Sequence, residues 1–295
     1  MNDELRALFD AQHGVVTTGQ ILTHVPRRRF EKLVETGALE RLWQGIYCLG
    51  EPDDEIRLRG LDLAAGRRIA ACLGTAAAMY GFDTEQPPDL HVLNPPGCAL
   101  RDVDGLVVHR RDGAPLVTIG GRRATSPAWT AVEVARGLRR PRALATLDAA
   151  LRSGACTRPD MWRAAIEQKG RRGIVAVRNL LPLADARAES PGESAARLAM
   201  IDGGLPVPEL QYEIVDGNGD LRRLDFAWPE AGVAAEYDGV DWHSEPEAMQ
   251  RDRRRQAALL AVGLTVIPIV SEDLGDGGWE IVVRIGEQLR RARAA

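Results

Sequence analysis

Apolar positions in the first fifty residues recur at helical spacing. Leu5, Leu8 and Phe9 do so between Asn2 and Ala11, and His13-Gly14 supplies a stop. Thr17 or Thr18 is placed to cap a second helix holding Ile21 and Leu22. Val25-Pro26 makes a turn, and Pro26 suits the opening of a third helix, Arg27 to Thr36. That helix sets Phe30, Leu33 and Val34 on one face. Steps of about 100° per residue put Arg28 and Lys32 on the opposite face, flanked by Arg29, Glu35 and Thr36. Gly37 ends it. GALERLWQGIYCLG then reads as two short strands, Leu39–Leu42 and Ile46–Leu49, around a turn at Trp43-Gln44-Gly45.

Three helices and a hairpin in this order predict a winged helix-turn-helix. Such a fold lays its third helix in the major groove of double-stranded DNA and its hairpin along the backbone. The expected contacts are Thr18, Arg27, Arg28, Arg29, Lys32, Thr36, Arg41 and Gln44. A basic face on a small helix can also be mere solvated surface. Here the basic triplet opens the helix that would read DNA, and the hairpin has the length of a wing. Residues 1–50 carry six basic and six acidic side chains, so one copy should bind modestly; a homodimer on paired half-sites would bind better.

EPDDE at 51–55 reads as an acidic linker. Beyond it the pattern gives an Ala-rich helical stretch through Ala78, strands at Leu90–Leu93 and Leu106–His109 around an Asn94-Pro95-Pro96-Gly97 loop, a helix from about Pro127, and another through Leu151. His91 and His109 stand at strand ends, where satisfied core-edge histidines are expected rather than ligands.

The last hundred residues give a clear order. A helix starts near Ser190-Pro191, and strand Glu209–Val215 turns at Asp216–Gly219 into strand Leu221–Trp228. After a turn at Pro229–Gly232 come strand Val233–Tyr237, a helix capped by Ser244 and running from Glu245 to about Val262, strand Leu264–Val270, and a helix from Trp279 to Arg293. This αβββαβ order predicts a restriction-endonuclease-like core. Asp225 leads one strand and Glu236-x-Asp238 ends the next; residues two apart share a face. Together they could hold Mg²⁺ or Mn²⁺ and polarise a phosphate. Ser190-x-x-Glu193 also reads as a capping box, Asp238-Gly239 as a strand-ending turn, and His243 as a surface residue. The RDRRR run at 251–255 is either a solvated helix face or the partner of the acids.

Composition narrows the picture. The 45% hydrophobic and 27% charged fractions are those of a globular chain of two or three domains, and no apolar run suggests a membrane span. MNDELRALFD lacks the layout of a secretory signal, and Cys48, Cys72, Cys98 and Cys156 form no metal-ligand spacing, so a cytoplasmic chain with free thiols is expected. The net charge of −4 hides an asymmetry. Residues 56–187 carry 21 Lys and Arg against 12 Asp and Glu, whereas residues 188–295 carry 11 against 20. The basic middle suits nucleic acid or an acidic partner.

Two resemblances add to these readings. GTAAAMYGF, DLHVLNPPG, GLVVHRR and RRATSPAWTAVEVAR, with the first fifty residues, resemble the AbiEi family of bacterial antitoxins over roughly residues 1–180. That resemblance implies a winged helix that represses its operon and a remainder that neutralises a nucleotidyltransferase-like toxin, a type IV toxin–antitoxin pair. RLDFAWPE, VAAEYDG and the nearby WH resemble the DUF559 and very-short-patch-repair endonuclease group of the PD-(D/E)XK superfamily, over about residues 188–275. By that resemblance Asp225 and Asp238 are metal ligands, Glu236 a ligand or part of the acid pair, His243 a general acid or base, and Glu193 the acid of the first helix. The pattern's lysine is absent, and Asp238 fills its place. The expected whole is a mixed α/β (α+β) chain with a winged helix-turn-helix at 1–50, an AbiEi-like α/β domain at 56–187 and a restriction-endonuclease-like domain at 188–295. Its expected role is that of a DNA-binding antitoxin and autorepressor. The alternative is a metal-dependent endonuclease targeted by its winged helix.

Overall fold

The computed structural model describes residues 3–82, 89–239 and 246–294. Among them are twelve α-helices and three sheets in a mixed α/β arrangement. The chain groups into two compact units, one of residues 1–76 and 86–126, the other of 77–85 and 127–295.

The first unit opens with α1 (Asp3–Ala11), β1 (Val15–Thr17), α2 (Thr18–His24), α3 (Arg27–Glu35), β2 (Glu40–Trp43) and β3 (Ile46–Cys48). The expected helices are present. Thr17 is the cap of α2, in a full capping box: its hydroxyl accepts from the Gln20 N–H, and the Gln20 side chain accepts from the Thr17 N–H. β1 is an addition to the sequence reading. It pairs antiparallel with β3, which pairs antiparallel with β2, so the hairpin is part of a three-stranded sheet. The hairpin turn is Gln44-Gly45 alone, with Trp43 inside β2; Gly45 takes φ 73°, open to a residue without a side chain. Leu5, Phe9, Val16, Ile21, Val25, Leu33 and Leu39 form the core of this segment.

The Ala-rich stretch through Ala78, expected as helical, is three elements: α4 (Asp54–Ala65), β4 (Ala70–Ala71) and α5 (Leu73–Met79). Gly66, at φ 62°, ends α4, and Ala70 and Ala71 then pair with Leu93 and Val92. β5 (Leu90–Leu93), β6 (Leu106–His109), β7 (Leu116–Ile119) and β8 (Arg122–Thr125) complete a five-stranded sheet of order β6-β5-β4-β8-β7. β5–β6 and β4–β8 are parallel, and the other two pairs antiparallel. α4 is the joint of this unit. It packs on β1, β2 and β3, and the Trp43 indole N–H donates to the Arg57 carbonyl at 2.8 Å. On its other side Arg122, 1% exposed on β8, reaches both Glu55 oxygens at 2.9 and 3.2 Å and Asp62 at 3.1 Å. The linker expected at 51–55 thus runs into α4, which packs on the sheet of the first fifty residues. His91 and His109 bond to each other at 2.8 Å, and the second His91 ring nitrogen has no partner.

The second unit begins with helices α6 (Pro127–Ala135), α7 (Arg140–Arg152), α8 (Arg158–Glu167) and α9 (Ile174–Leu180). There follow α10 (Pro191–Asp202), β9 (Glu209–Val215), β10 (Leu221–Trp228), β11 (Val233–Asp238), α11 (Pro246–Ala261), β12 (Thr265–Val270) and α12 (Trp279–Ala294). The sheet order is β12-β11-β10-β9, with β11 and β12 parallel and the rest antiparallel. α10 packs on α7 as well as on the sheet, so the segment from 188 shares a compact unit with the helices before it. Buried Asp148 of α7 accepts from Arg197 and Ser194 of α10, each at 2.7 Å, and from the Asp185 N–H. Each of the three expected segments nonetheless contributes one sheet.

Cys48, Cys72 and Cys156 are buried and in no disulfide, and burial pushes Cys156 up to about 12. No helix among the described residues is long and apolar enough to cross a membrane.

Candidate DNA interface and acidic cluster

The third helix, RRRFEKLVE, is strongly two-sided. Leu33 is buried, Phe30 and Val34 lean on the core, and the Phe30 ring meets Tyr47 of β3 edge-on at 5.1 Å and 87°. That ring contact fixes the helix against the sheet. The other face exposes Arg27, Arg28, Arg29 and Lys32. Arg27 shares its charge with Glu31 one turn on, at 3.1 Å, an exposed pair of small energetic weight. Among the described residues no acid pairs with Arg28, Arg29 or Lys32.

The expected polar contacts divide. Arg41 and Gln44 are exposed on the hairpin, and Gln44 stands at its tip. Thr18 is occupied in holding the fold: its N–H and hydroxyl both donate to the Gly45 carbonyl, at 2.9 and 3.3 Å. Thr36 follows the last turn of α3, and its hydroxyl donates to the Lys32 carbonyl at 2.9 Å. These two threonines tie the ends of α2 and α3 down; Arg28, Arg29, Lys32, Arg41 and Gln44 are the side chains left to meet another molecule.

In the second unit the β10–β11 register pairs Phe226 with Ala235, so the next position sets Asp225 across from Glu236 on one face, with Asp238 two residues on. Asp225 accepts the Tyr237 N–H at 2.8 Å. Burial raises its pKa, against the Tyr237 N–H and the Gln211 side chain, and Glu189 adds to the rise. Burial also raises Glu236; Arg255 opposes this, while Asp225 and Asp238 reinforce it. Glu193 is raised by burial too, with Asp225 a contributor. The acids named from the sequence thus feel one another.

Other residues of the cluster were not foreseen. Gln211 of β9 has a left-handed backbone, φ 52°, rare for a residue with a side chain. Its amide donates to Glu193 at 3.1 Å, and its carbonyl oxygen is buried without a partner. Arg255 clasps both oxygens of Glu236, one at 2.7 Å. The two readings of the RDRRR run are therefore both represented: Arg255 partners the acids, and Arg251, Arg253 and Arg254 are exposed. The expected capping box is altered as well. Ser190 accepts the Glu193 N–H, but Glu193 reaches past the cap to the Glu189 N–H at 2.9 Å. Gly192 permits this packing, since a Cβ there would collide with the Tyr237 ring.

As a metal cradle the cluster fits poorly. Both Glu236 oxygens face a guanidinium, and no group of three or more His, Cys, Asp or Glu among the described residues is set to hold an ion. The expected role of His243 and the Ser244 cap lie outside the described residues.

Comparison with known proteins follows these features. Residues 3–50 match the family described as "Transcriptional regulator, AbiEi antitoxin", and residues 69–183 match "AbiEi antitoxin C-terminal domain". Two proteins of Mycobacterium tuberculosis are each 54% identical to the chain over 269 residues: "Uncharacterized protein Rv2248" of strain H37Rv and "Uncharacterized protein MT2308" of strain CDC 1551. Each alignment covers 91% of this chain and 99% of the relative. The crystal structure of RV2827C protein from the same species superposes with TM-score 0.43 and 20% identity, over 62% of this chain and 75% of that one. With both its N-terminal segment and the following sheet and helices matched, the chain belongs to the AbiEi antitoxin family.

Proposed function

We propose that the protein is the DNA-binding antitoxin and autorepressor of a type IV toxin–antitoxin pair, and that it neutralises a nucleotidyltransferase-like toxin. The observation that carries the DNA-binding half is the exposed face of α3, where, among the described residues, Arg28, Arg29 and Lys32 have no acidic partner, with Gln44 exposed at the hairpin tip. Helix, hairpin and cations together suit a winged helix on double-stranded DNA, and a homodimer on paired half-sites suits the neutral charge balance of residues 1–50. The toxin-neutralising half rests on family membership. The test of the first half is a salt titration of the protein on its own promoter DNA. The reading predicts affinity that falls linearly in log–log form with salt and exceeds that for unrelated duplex; equal affinity for both would reject autorepression.

A second reading is favoured by the acids that meet at Asp225. A restriction-endonuclease-like core that cleaves DNA with Mg²⁺ or Mn²⁺ through Asp225, Glu236, Asp238 and His243 requires Arg255 to release Glu236. It predicts that Mn²⁺ raises the melting temperature by linkage, and that Asp225→Asn abolishes the rise. Identical melting curves with and without Mn²⁺ would remove it. Plasmid cleavage by wild type but not by Asp225→Asn would instead place it above the antitoxin reading.

A further inference from the structure

The Asn94-Pro95-Pro96-Gly97 loop follows β5. It borders a cavity of about 560 Å³ that lies wholly in the first unit, together with the turn after β6 and strand β8. The volume is within the roughly 300–1,000 Å³ of small-molecule sites. The floor is apolar. Ala70 and Leu93 are buried there with Cys72, and Leu116 packs against them. The rim is basic: Arg68, Arg110, Arg111 and Arg123 line it, against the single acid Asp112.

Two of these arginines, Arg110 and Arg123, differ in their surroundings from those packed around α4. Around α4 arginines are matched to acids, as Arg57 is to Asp54, Arg59 to Glu55, and Arg122 to Glu55 and Asp62. On the rim, Arg68 comes no nearer than 3.8 Å to Asp62, which Arg122 already holds. Among the described residues no acid pairs with Arg110 or Arg123. Like charges on one rim repel one another, and an anion between Arg110 and Arg123 relieves that repulsion. Guanidinium groups bind phosphate oxygens through paired N–H donors, and the apolar floor offers a surface for a flat ring.

We infer that this cavity binds a nucleoside di- or triphosphate, with its base on the Ala70, Leu93 and Leu116 floor and its phosphates on the Arg110 and Arg123 rim. Calorimetric titration of the full chain with GTP, ATP and inorganic phosphate, in the presence of a chelator, tests this. At least one nucleotide should bind saturably and at least about tenfold more tightly than inorganic phosphate, because only the nucleotide uses the floor. The Arg110→Ala/Arg123→Ala protein should lose about tenfold or more in nucleotide affinity with an unchanged melting curve. Leu116→Trp, which fills the floor, should weaken the nucleotide and leave inorganic phosphate binding as it was. The inference is overturned if neither nucleotide binds, if phosphate binds as tightly as the nucleotides, or if the double variant binds as wild type does. It is also overturned if duplex DNA depends on the two arginines while nucleotides do not bind, which would make the rim a backbone contact.

Discussion

On promoter DNA, the Arg28→Ala/Lys32→Ala protein should show a salt dependence about two units flatter than wild type. Each phosphate neutralised by a side chain releases roughly 0.9 counterion, so two lost contacts remove close to two from the slope of log K against log salt. The choice of these two follows from the geometry. Both lie opposite the Phe30, Leu33 and Val34 face and are exposed, and no acid among the described residues holds either. Arg27, by contrast, already spends part of its charge on Glu31, so Arg27→Ala should change the slope less. Neither Arg28 nor Lys32 touches the core, and melting should be unaffected. A wild-type slope in the double variant would show that α3 does not lie on the phosphates.

Arg122→Met should be among the most destabilising single substitutions in the first unit, by about 3 kcal/mol, or on the order of 10 °C in melting temperature. Arg122 is 1% exposed, yet it is charged. Burial acts to lower its pKa, and the hydrogen bonds and charges of Glu55 and Asp62 outweigh burial and hold it above its ordinary value. Removing the guanidinium leaves Asp62, itself mostly buried, with only the exposed Arg68 at 3.8 Å as counter-charge while it still accepts the Ile69 N–H at 2.7 Å. Replacing one member of a buried ion pair is costly because the other is stranded. Arg59→Ala offers the comparison. Arg59 bonds the same Glu55 at 2.9 Å but from the exposed side, and its loss should cost under about 1 kcal/mol. Melting of both variants decides the matter; equal small losses would mean the buried triad is not what joins α4 to β8.

Such a triad could not be read from the sequence. Arg122 and Arg123 are adjacent and chemically alike, yet one is enclosed between α4 and β8 and the other lies on a cavity rim. Which arginine turns inward depends on the β7–β8 register and on a helix some 60 residues earlier. The same limit hid Arg255, whose place opposite Glu236 depends on how α11 returns over the sheet. Elements set by local chemistry were legible. The 3.6-residue spacing gave α1 to α3, and caps and glycine stops gave their ends to within a residue or two. In the last hundred residues β9 and β10 came out at the expected bounds, because both strands are long and separated by an Asp-Gly turn. β1 and β4, of three and two residues, carry too little pattern to be seen and exist only through their partners. For the site, the positions of Asp225, Glu236 and Asp238 followed from strand alternation, but what they face did not. Gln211, strained and half-satisfied beside Glu193 and Asp225, gave no signal at all in a strand of ordinary composition.

The central claim is that the chain neutralises a toxin independently of binding DNA. A truncation at residue 51 would confuse the test, because α4 packs against the small sheet and accepts a hydrogen bond from Trp43. The full-length Arg28→Ala/Lys32→Ala protein avoids this. The most direct measurement is growth of cells that express the proposed nucleotidyltransferase-like toxin, with and without this chain. The account predicts that wild type and the double variant restore growth equally, although only wild type silences the promoter. Failure of the wild-type chain to restore growth would contradict it.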